Sequence, residues 1–314
     1  MNPFLDYLLQ AIPLGMTILL GCVGEILTEK AGHLNLGIPG IMCMGCTFGC
    51  VALQKAYEAN LPPVLLVIIT VLAAFAGGVL MGMLYSFLTV TLKANQNVTG
   101  LTMTIFGAGA TKFVMLEMTE WMNANITPLR AYFCYPFDGN TTSLRQNGVL
   151  TWLVVILALI AAFVLLRTRM GLHLRAVGES PATADAVGIN VTAYKYVATC
   201  IGSGIAALGG VYYTFITSGS PEAYKSIEGF GWIAVALVIF SLWKPHVGVL
   251  GSIVFGALYI ANSYIKGIPE YLTPLLQMLP YVFTIAVLII TSVRKKREHQ
   301  PPASLGLPYF REER

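Results

Sequence analysis

Charged residues in this chain are bunched, and the intervals between the bunches are long and apolar. No Asp, Glu, Lys or Arg falls within 7–24, 31–54, 59–92, 94–111, 146–166, 196–221, 229–243, 245–265 or 271–293. About 20 apolar residues rising 1.5 Å each cross a hydrocarbon core of about 30 Å, so most of these intervals can span a membrane. The pattern predicts an all-α, polytopic helical membrane protein with about 8–10 transmembrane segments, nine being the central count. Helices rather than a barrel are expected, because no period-two alternation runs through the intervals and only helices or closed barrels satisfy their backbone within lipid. Two intervals are ambiguous. The 229–243 interval is short unless it continues past Lys244-Pro245, and 59–92 is long enough to tilt or to be interrupted at Gly77-Gly78. Within 31–53, Asn35 stands between Leu34 and Leu36, amid Gly32, Gly37, Pro39 and Gly40, which predicts a broken or re-entrant helix.

Composition narrows the picture further. Of 314 residues only 19 are basic and 15 acidic, 56% are hydrophobic, and the mean hydropathy is +0.72. A soluble domain places charge at about a quarter of its positions, so a soluble enzyme is excluded. The first apolar interval follows Asp6 with no basic n-region, and is expected to stay as a span rather than be cleaved. Residues 1–293 are read as one transmembrane domain and 294–314 as a basic tail. Arg167, Arg169 and Arg175 share one loop, and Arg294, Lys295, Lys296 and Arg297 follow the last span, so loop 167–195 and the tail are expected in the cytoplasm of a plasma-membrane protein. Alternation then puts the 117–148 loop outside and Lys93 inside. A basic cytoplasmic face accounts for the net charge of +4 without a nucleic-acid partner.

Candidate chemistry is concentrated in a few polar places. In 167–195, Ser180 is an N-cap type, Pro181 suits the first helical position, and Gly188 supplies a left-handed stop followed by Ile189. The predicted helix has about two turns, too short to stand alone in water, so it must dock on something. That something is either its own bundle or a separate motor subunit. Asn95, Gln96 and Asn97 open an otherwise apolar span, where amides must find protein or water. Interhelical hydrogen bonding or capping and the lining of a translocation path explain them equally. Trp232 suits a stacking platform or an interfacial belt, and the 117–148 region suits a lid or a partner's dock. Glu25 and Glu29 read as structural residues at the cytoplasmic boundary, with Lys30 beside them. Cys43 and Cys46, on an apolar stretch with Met42 and Met44, read as packing. The four histidines lack ligand spacing, and neither a metal site nor a catalytic constellation of nucleophile and base is expected. Small pairs such as Gly45 with Gly49, Gly78 with Gly82 and Ala206 with Gly210 predict close helix packing.

The residues of four segments carry a family resemblance. The run from Gly171 through Arg175, Gly178, Glu179, Pro181, Ala184 and Asp185 to Gly188 resembles the cytoplasmic loop of permease subunits of simple-sugar and nucleoside ABC importers, in the larger ribose and branched-chain amino acid permease family. Gly24 to Gly40, Ala94 to Thr104 and Gly229 to Phe240 resemble the nucleoside-type branch, in matching order along nearly the whole chain. The middle block departs from that branch at Asn97, where an aliphatic residue is commoner.

The resemblance implies a pathway-forming subunit that binds no cofactor. A partner ABC ATPase would use ATP and Mg, this chain having no G-x-x-x-x-G-K-[ST] motif. It further implies a second permease, commonly a paralogue, an extracytoplasmic substrate-binding lipoprotein, and surrounding lipid. On this reading Gly171, Arg175, Gly178, Glu179, Pro181, Ala184, Asp185 and Gly188 couple to the ATPase. Asn35, Asn95, Gln96, Asn97, Thr99 and Trp232 serve the substrate pathway. The alternative is an ion-coupled secondary transporter of small polar solutes, which needs a mid-span charge that the clustering of charges at span ends does not provide.

Overall fold

The computed structural model describes residues 3–134, 148–264, 274–275, 278–294 and 300–310. Helices α1 (Pro3–Lys30), α2 (Ile38–Glu58), α3 (Pro63–Ser86), α4 (Gln96–Cys134) and α5 (Gly148–Arg167) come first. Two short helices follow, α6 (Arg169–Glu179) and α7 (Pro181–Ala186), then α8 (Val191–Tyr212), α9 (Tyr224–Phe240), α10 (Pro245–Tyr264) and α11 (Leu279–Arg294). Single π-helical turns, Phe87–Thr91 and Tyr213–Ser218, extend α3 and α8. Six helices among the described residues are long and apolar enough to cross a membrane. The shorter α9, α10 and α11 occupy the last three predicted intervals. The polytopic all-helical fold is therefore as expected.

Small residues set the packing. Helix α8 lies against α1, α2 and α3, so it forms the axis of the bundle. A Cβ on Gly45 of α2 would overlap the Ala207 carbonyl oxygen of α8, and one on Gly24 of α1 would overlap that of Gly202. Without a hydrophobic drive between helices in lipid, such close approach is what holds them. The opposite faces are apolar and open: Ile105 is 74% and Phe113 68% exposed, an arrangement that water would not tolerate and lipid or a second subunit would.

Three expectations change. The chain does break near Asn35, but the break is confined to residues 31–37. It is followed by the continuous 21-residue α2, so the segment is a broken pair of helices rather than a re-entrant hairpin. Gly77-Gly78 does not interrupt α3. Those glycines admit the Phe48 ring and the α8 backbone, and the irregularity falls at Phe87–Thr91 instead. Residues 117–134, expected as part of an outer loop, continue α4. Its 39 residues make about 58 Å of helix, well beyond the thickness of a hydrocarbon core. The remainder of that region, 135–147, lies outside the described residues.

Candidate functional site

The chain segments 30–37, 93–96, 167–195, 241–245 and 300–310 meet at one end of the bundle. At their centre is the break after α1. Gly32, at φ +78°, turns the chain away from the helix, and an accounting of the freed backbone groups shows how the break survives at depth. The Leu34 N–H donates to Gln96 Oε1 (2.8 Å), and the Leu34 carbonyl accepts from the Tyr85 hydroxyl (2.5 Å). The Asn35 N–H donates to Glu25 Oε1 (3.0 Å), and the Gly37 N–H to Asn35 Oδ1 (3.0 Å). The Leu36 carbonyl accepts from Thr104 Oγ1 (2.8 Å). Side chains of α1, α3 and α4 thus replace the missing helical bonds.

Glu25 and Glu29 are both buried, deeper than a boundary position implies. Glu29 accepts a hydrogen bond from the Trp243 indole, a donor that arrives from beyond α9. Buried polar atoms without a partner include Glu25 Oε2, Asn35 Nδ2 and Gln96 Nε2 at the same break, and Ser86 Oγ and Ser203 Oγ on α3 and α8. Orphaned groups of this kind are costly in a static core and suit a region that rearranges or admits water.

Of the proposed pathway residues, the structure brings Asn35, Gln96 and Thr99 together, all buried, with Gly100 beside Leu36 and Gly37. Asn95 takes the capping role, its Oδ1 accepting from the Val98 N–H at 3.1 Å, and Asn97 is exposed on the first turn of α4. Trp232 is half-buried on α9, next to Gly231, whose backbone abuts Pro39 at the start of α2. The amide sharing the break is therefore Gln96.

The segment 167–195 folds as its turn residues predict. The Ser180 side chain caps α7 by accepting from the Thr183 N–H at 3.4 Å, and Pro181 occupies the first turn. Gly188 has φ +87°, and the Ile189 N–H returns to the Ala184 carbonyl at 3.0 Å. Sequence inspection missed α6, which Thr168 caps through the Gly171 N–H (3.1 Å). Gly171 and Gly178 are packing residues. A Cβ on Gly171 would overlap the Val164 carbonyl oxygen, and one on Gly178 that of Lys30. The Arg175 Nε reaches back to the Gly171 carbonyl (3.4 Å), and Ala184 is buried beside Val177 and Val191. Outward from α7 lie Ala182, Thr183, Ala186 and Val187, the last 71% exposed, with Glu179 exposed just before it.

The tail also folds back. Ser304 donates to the Gly178 carbonyl through both Oγ (2.5 Å) and N–H (3.1 Å), and the Tyr309 hydroxyl donates to Asp185 Oδ2 (2.8 Å). Lys93 sits over the Phe310 ring. No local sequence pattern signals these contacts.

His33 illustrates the electrostatics of this end. Its Nδ1 lies 3.1 Å from Thr199 Oγ1, with the Tyr85 ring edge-on. Burial, and secondarily the Lys195 charge, push its pKa down to about 3. An unfolded histidine titrates near 6.5, so the unfolded state binds the extra proton between those values. Stability is accordingly expected to be full above about pH 6.5 and to fall by on the order of a few kcal/mol towards pH 3. His33→Gln should flatten that dependence in thermal unfolding of the detergent-solubilised protein. An equally steep profile in the variant would assign it to other groups.

With the arrangement described, the comparisons with known proteins become informative. The profile of the "Branched-chain amino acid transport system / permease component" family matches residues 7–291. The chain belongs to this permease family. It is 31% identical to the nucleoside ABC transporter permease protein NupC of Lactococcus lactis, over 85% of this chain and 86% of the relative. It is 29% identical to the guanosine ABC transporter permease protein NupQ of Bacillus subtilis, over 98% and 96% of the two chains. Similarity to the putative glucose ABC transporter permease protein TsgC13 of Haloferax volcanii is 30%, covering 94% of each. No solved structure gives a significant match. With its six long apolar helices, this ABC permease is a multi-pass plasma-membrane protein.

Proposed function

We propose that this permease is the pathway-forming subunit of an ABC importer for a nucleoside or a simple sugar. It would pair with a second permease, commonly a paralogue, and receive substrate from an extracytoplasmic binding lipoprotein. A separate ATPase using ATP and Mg would drive it through α6–α7. The names of the relatives support the substrate class. Within the chain, the supporting observation is the backbone contact of Gly178 with Lys30 and Gly32. Through it, movement of the coupling segment is passed directly to the break that carries Asn35 and meets Gln96. The end bearing Lys30, Lys93, Arg167, Arg169, Arg175 and Lys244 would face the cytoplasm, and the opposite end, with the start of α1, the exterior. The orphaned polar atoms at the break suit a segment that alternates between outward-facing and inward-facing states.

The buried Glu25, Glu29 and Lys195 are features that an ion-coupled carrier would also want. Uptake of tritiated adenosine and tritiated glucose into vesicles containing the co-expressed transporter separates the two. Uptake should require internal ATP and survive collapse of the proton and sodium gradients. Gradient-driven uptake without ATP would overturn the importer reading.

A further inference from the structure

The bundle has a second polar space at the end opposite α6–α7, lined by none of the proposed pathway residues. It is a cavity of about 740 Å³, within the size range of small-molecule sites. The first half of α1, the end of α4, the π turn after α8, and parts of α9 and α10 enclose it.

Its walls combine two kinds of chemistry. Tyr213, Phe230 and Tyr259 form a linked aromatic cluster, with centroids 4.6 Å and 5.0 Å apart at tilts of 48° and 58°. Phe230 is buried, and the two half-buried tyrosines flank it. Around this cluster stand hydrogen-bonding groups, among them Gln10, Thr217 and Arg130. Thr217 Oγ1 lies 3.3 Å from the Pro13 carbonyl and 3.2 Å from Thr17 Oγ1, tying the π turn to α1. Arg130 Nη2 donates to the Ile216 carbonyl at 3.3 Å. A π turn breaks the regular backbone register where it lines the cavity, as such turns do at functional sites. Among the described residues, the charged side chains lining the space are Asp6 and Arg130, which are opposite in sign.

We propose that this cavity is the chamber that receives solute at the outer end, and that it takes an uncharged, ring-bearing polar molecule, a nucleoside in preference to a simple sugar. A flat base would stack on the accessible side of Tyr213 or Tyr259, while hydroxyls meet Gln10, Thr217 and Arg130. An aromatic ring also packs on the C–H face of a sugar, but a planar base gives it a full stacking face and so the larger contact. This proposal rests on the importer reading above and names the part of the chain that would meet the substrate first.

The test uses the complete transporter, with its co-expressed partners, in membrane vesicles. Initial uptake of tritiated adenosine and tritiated glucose is measured beside basal ATPase activity and the amount of assembled complex. Tyr213→Leu is expected to lower adenosine uptake about tenfold, the size of a lost stacking contact, at an equal amount of assembled complex. Tyr259→Phe keeps the ring and its packing, so it cannot fail merely by misfolding. The ring and not the hydroxyl carries the stacking, so uptake is expected to stay within about twofold of the unmodified complex. Full adenosine uptake in Tyr213→Leu, at equal complex levels, would overturn the chamber while leaving the importer intact. Transport of glucose but not adenosine by the unmodified complex would overturn the preference for a base. Uptake of neither by the unmodified complex would remove the importer reading and the chamber with it.

Discussion

Gly45→Leu is expected to lower the yield of folded protein in the membrane by about tenfold or more, whereas Gly109→Leu should leave it within about twofold. Both are glycines in apolar helices, and both receive the same side chain. They differ in what a side chain meets. At Gly45 even a Cβ would overlap the Ala207 carbonyl oxygen, with the carbonyl carbon and Cα of the same residue close behind. These are backbone atoms of the axial helix α8, so no rotamer change relieves the clash and α2 must move away. Overpacking a core costs about 1–3 kcal/mol, occasionally more, and about 2 kcal/mol already shifts a folding equilibrium some thirtyfold. The displacement would spread, because α8 meets α1 and α3 through similar close contacts at Gly202 and Ala207. Gly109 has no heavy atom within 4 Å of its would-be Cβ and faces outward on α4, where leucine suits lipid. Size-exclusion profiles of the fluorescently tagged, detergent-solubilised variants measure the difference. Equal monodisperse yields for both would mean that the α2–α8 contact is not what holds the bundle.

Such contacts also explain how far the sequence could be read. The spans were legible because apolar intervals long enough to cross a membrane lie between bunched charges, and that property is local. The α7 turn was legible for the same reason: Ser180, Pro181 and Gly188 each act on backbone within a few residues. The break near Asn35 was visible in its glycines and Pro39. Its confinement to 31–37 was not, since that depends on Gln96, Tyr85 and Thr104 arriving from α3 and α4 to take the freed backbone groups. Glu25 and Glu29 sit near a helix end in the sequence and within the core in space, because Trp243 and the Asn35 backbone cover them. The glycine pair at 77–78 carries the composition of a hinge and serves as a packing notch instead. The tail contacts and the aromatic chamber join residues far apart in the chain, for which no periodicity exists to be read.

The outward face of α7 supplies the second expected result. Val187→Asp should lower ATP-dependent uptake and ATPase co-purification by about tenfold while leaving the permease itself folded, because Val187 is 71% exposed. A carboxylate there costs nothing in water. It costs several kcal/mol if α7 seats Val187 in an apolar groove of a partner, where the charge would have no compensation. Ala184→Pro approaches the same surface from within. Ala184 donates its N–H to the Ser180 carbonyl at 3.0 Å and is 2% exposed against Val177 and Val191. Proline removes that bond and puts its ring against the preceding turn at about 3 kcal/mol, more than an isolated six-residue helix can supply. Both variants should reach the membrane at normal levels, since the spans do not depend on α7. The pair separates two roles for the segment. Loss in both means that the shape of α7 and its exposed face are read by the ATPase. Loss in Ala184→Pro alone, with normal uptake in Val187→Asp, means that α7 only braces the junction of Gly178 with the break, and that the ATPase engages the chain elsewhere.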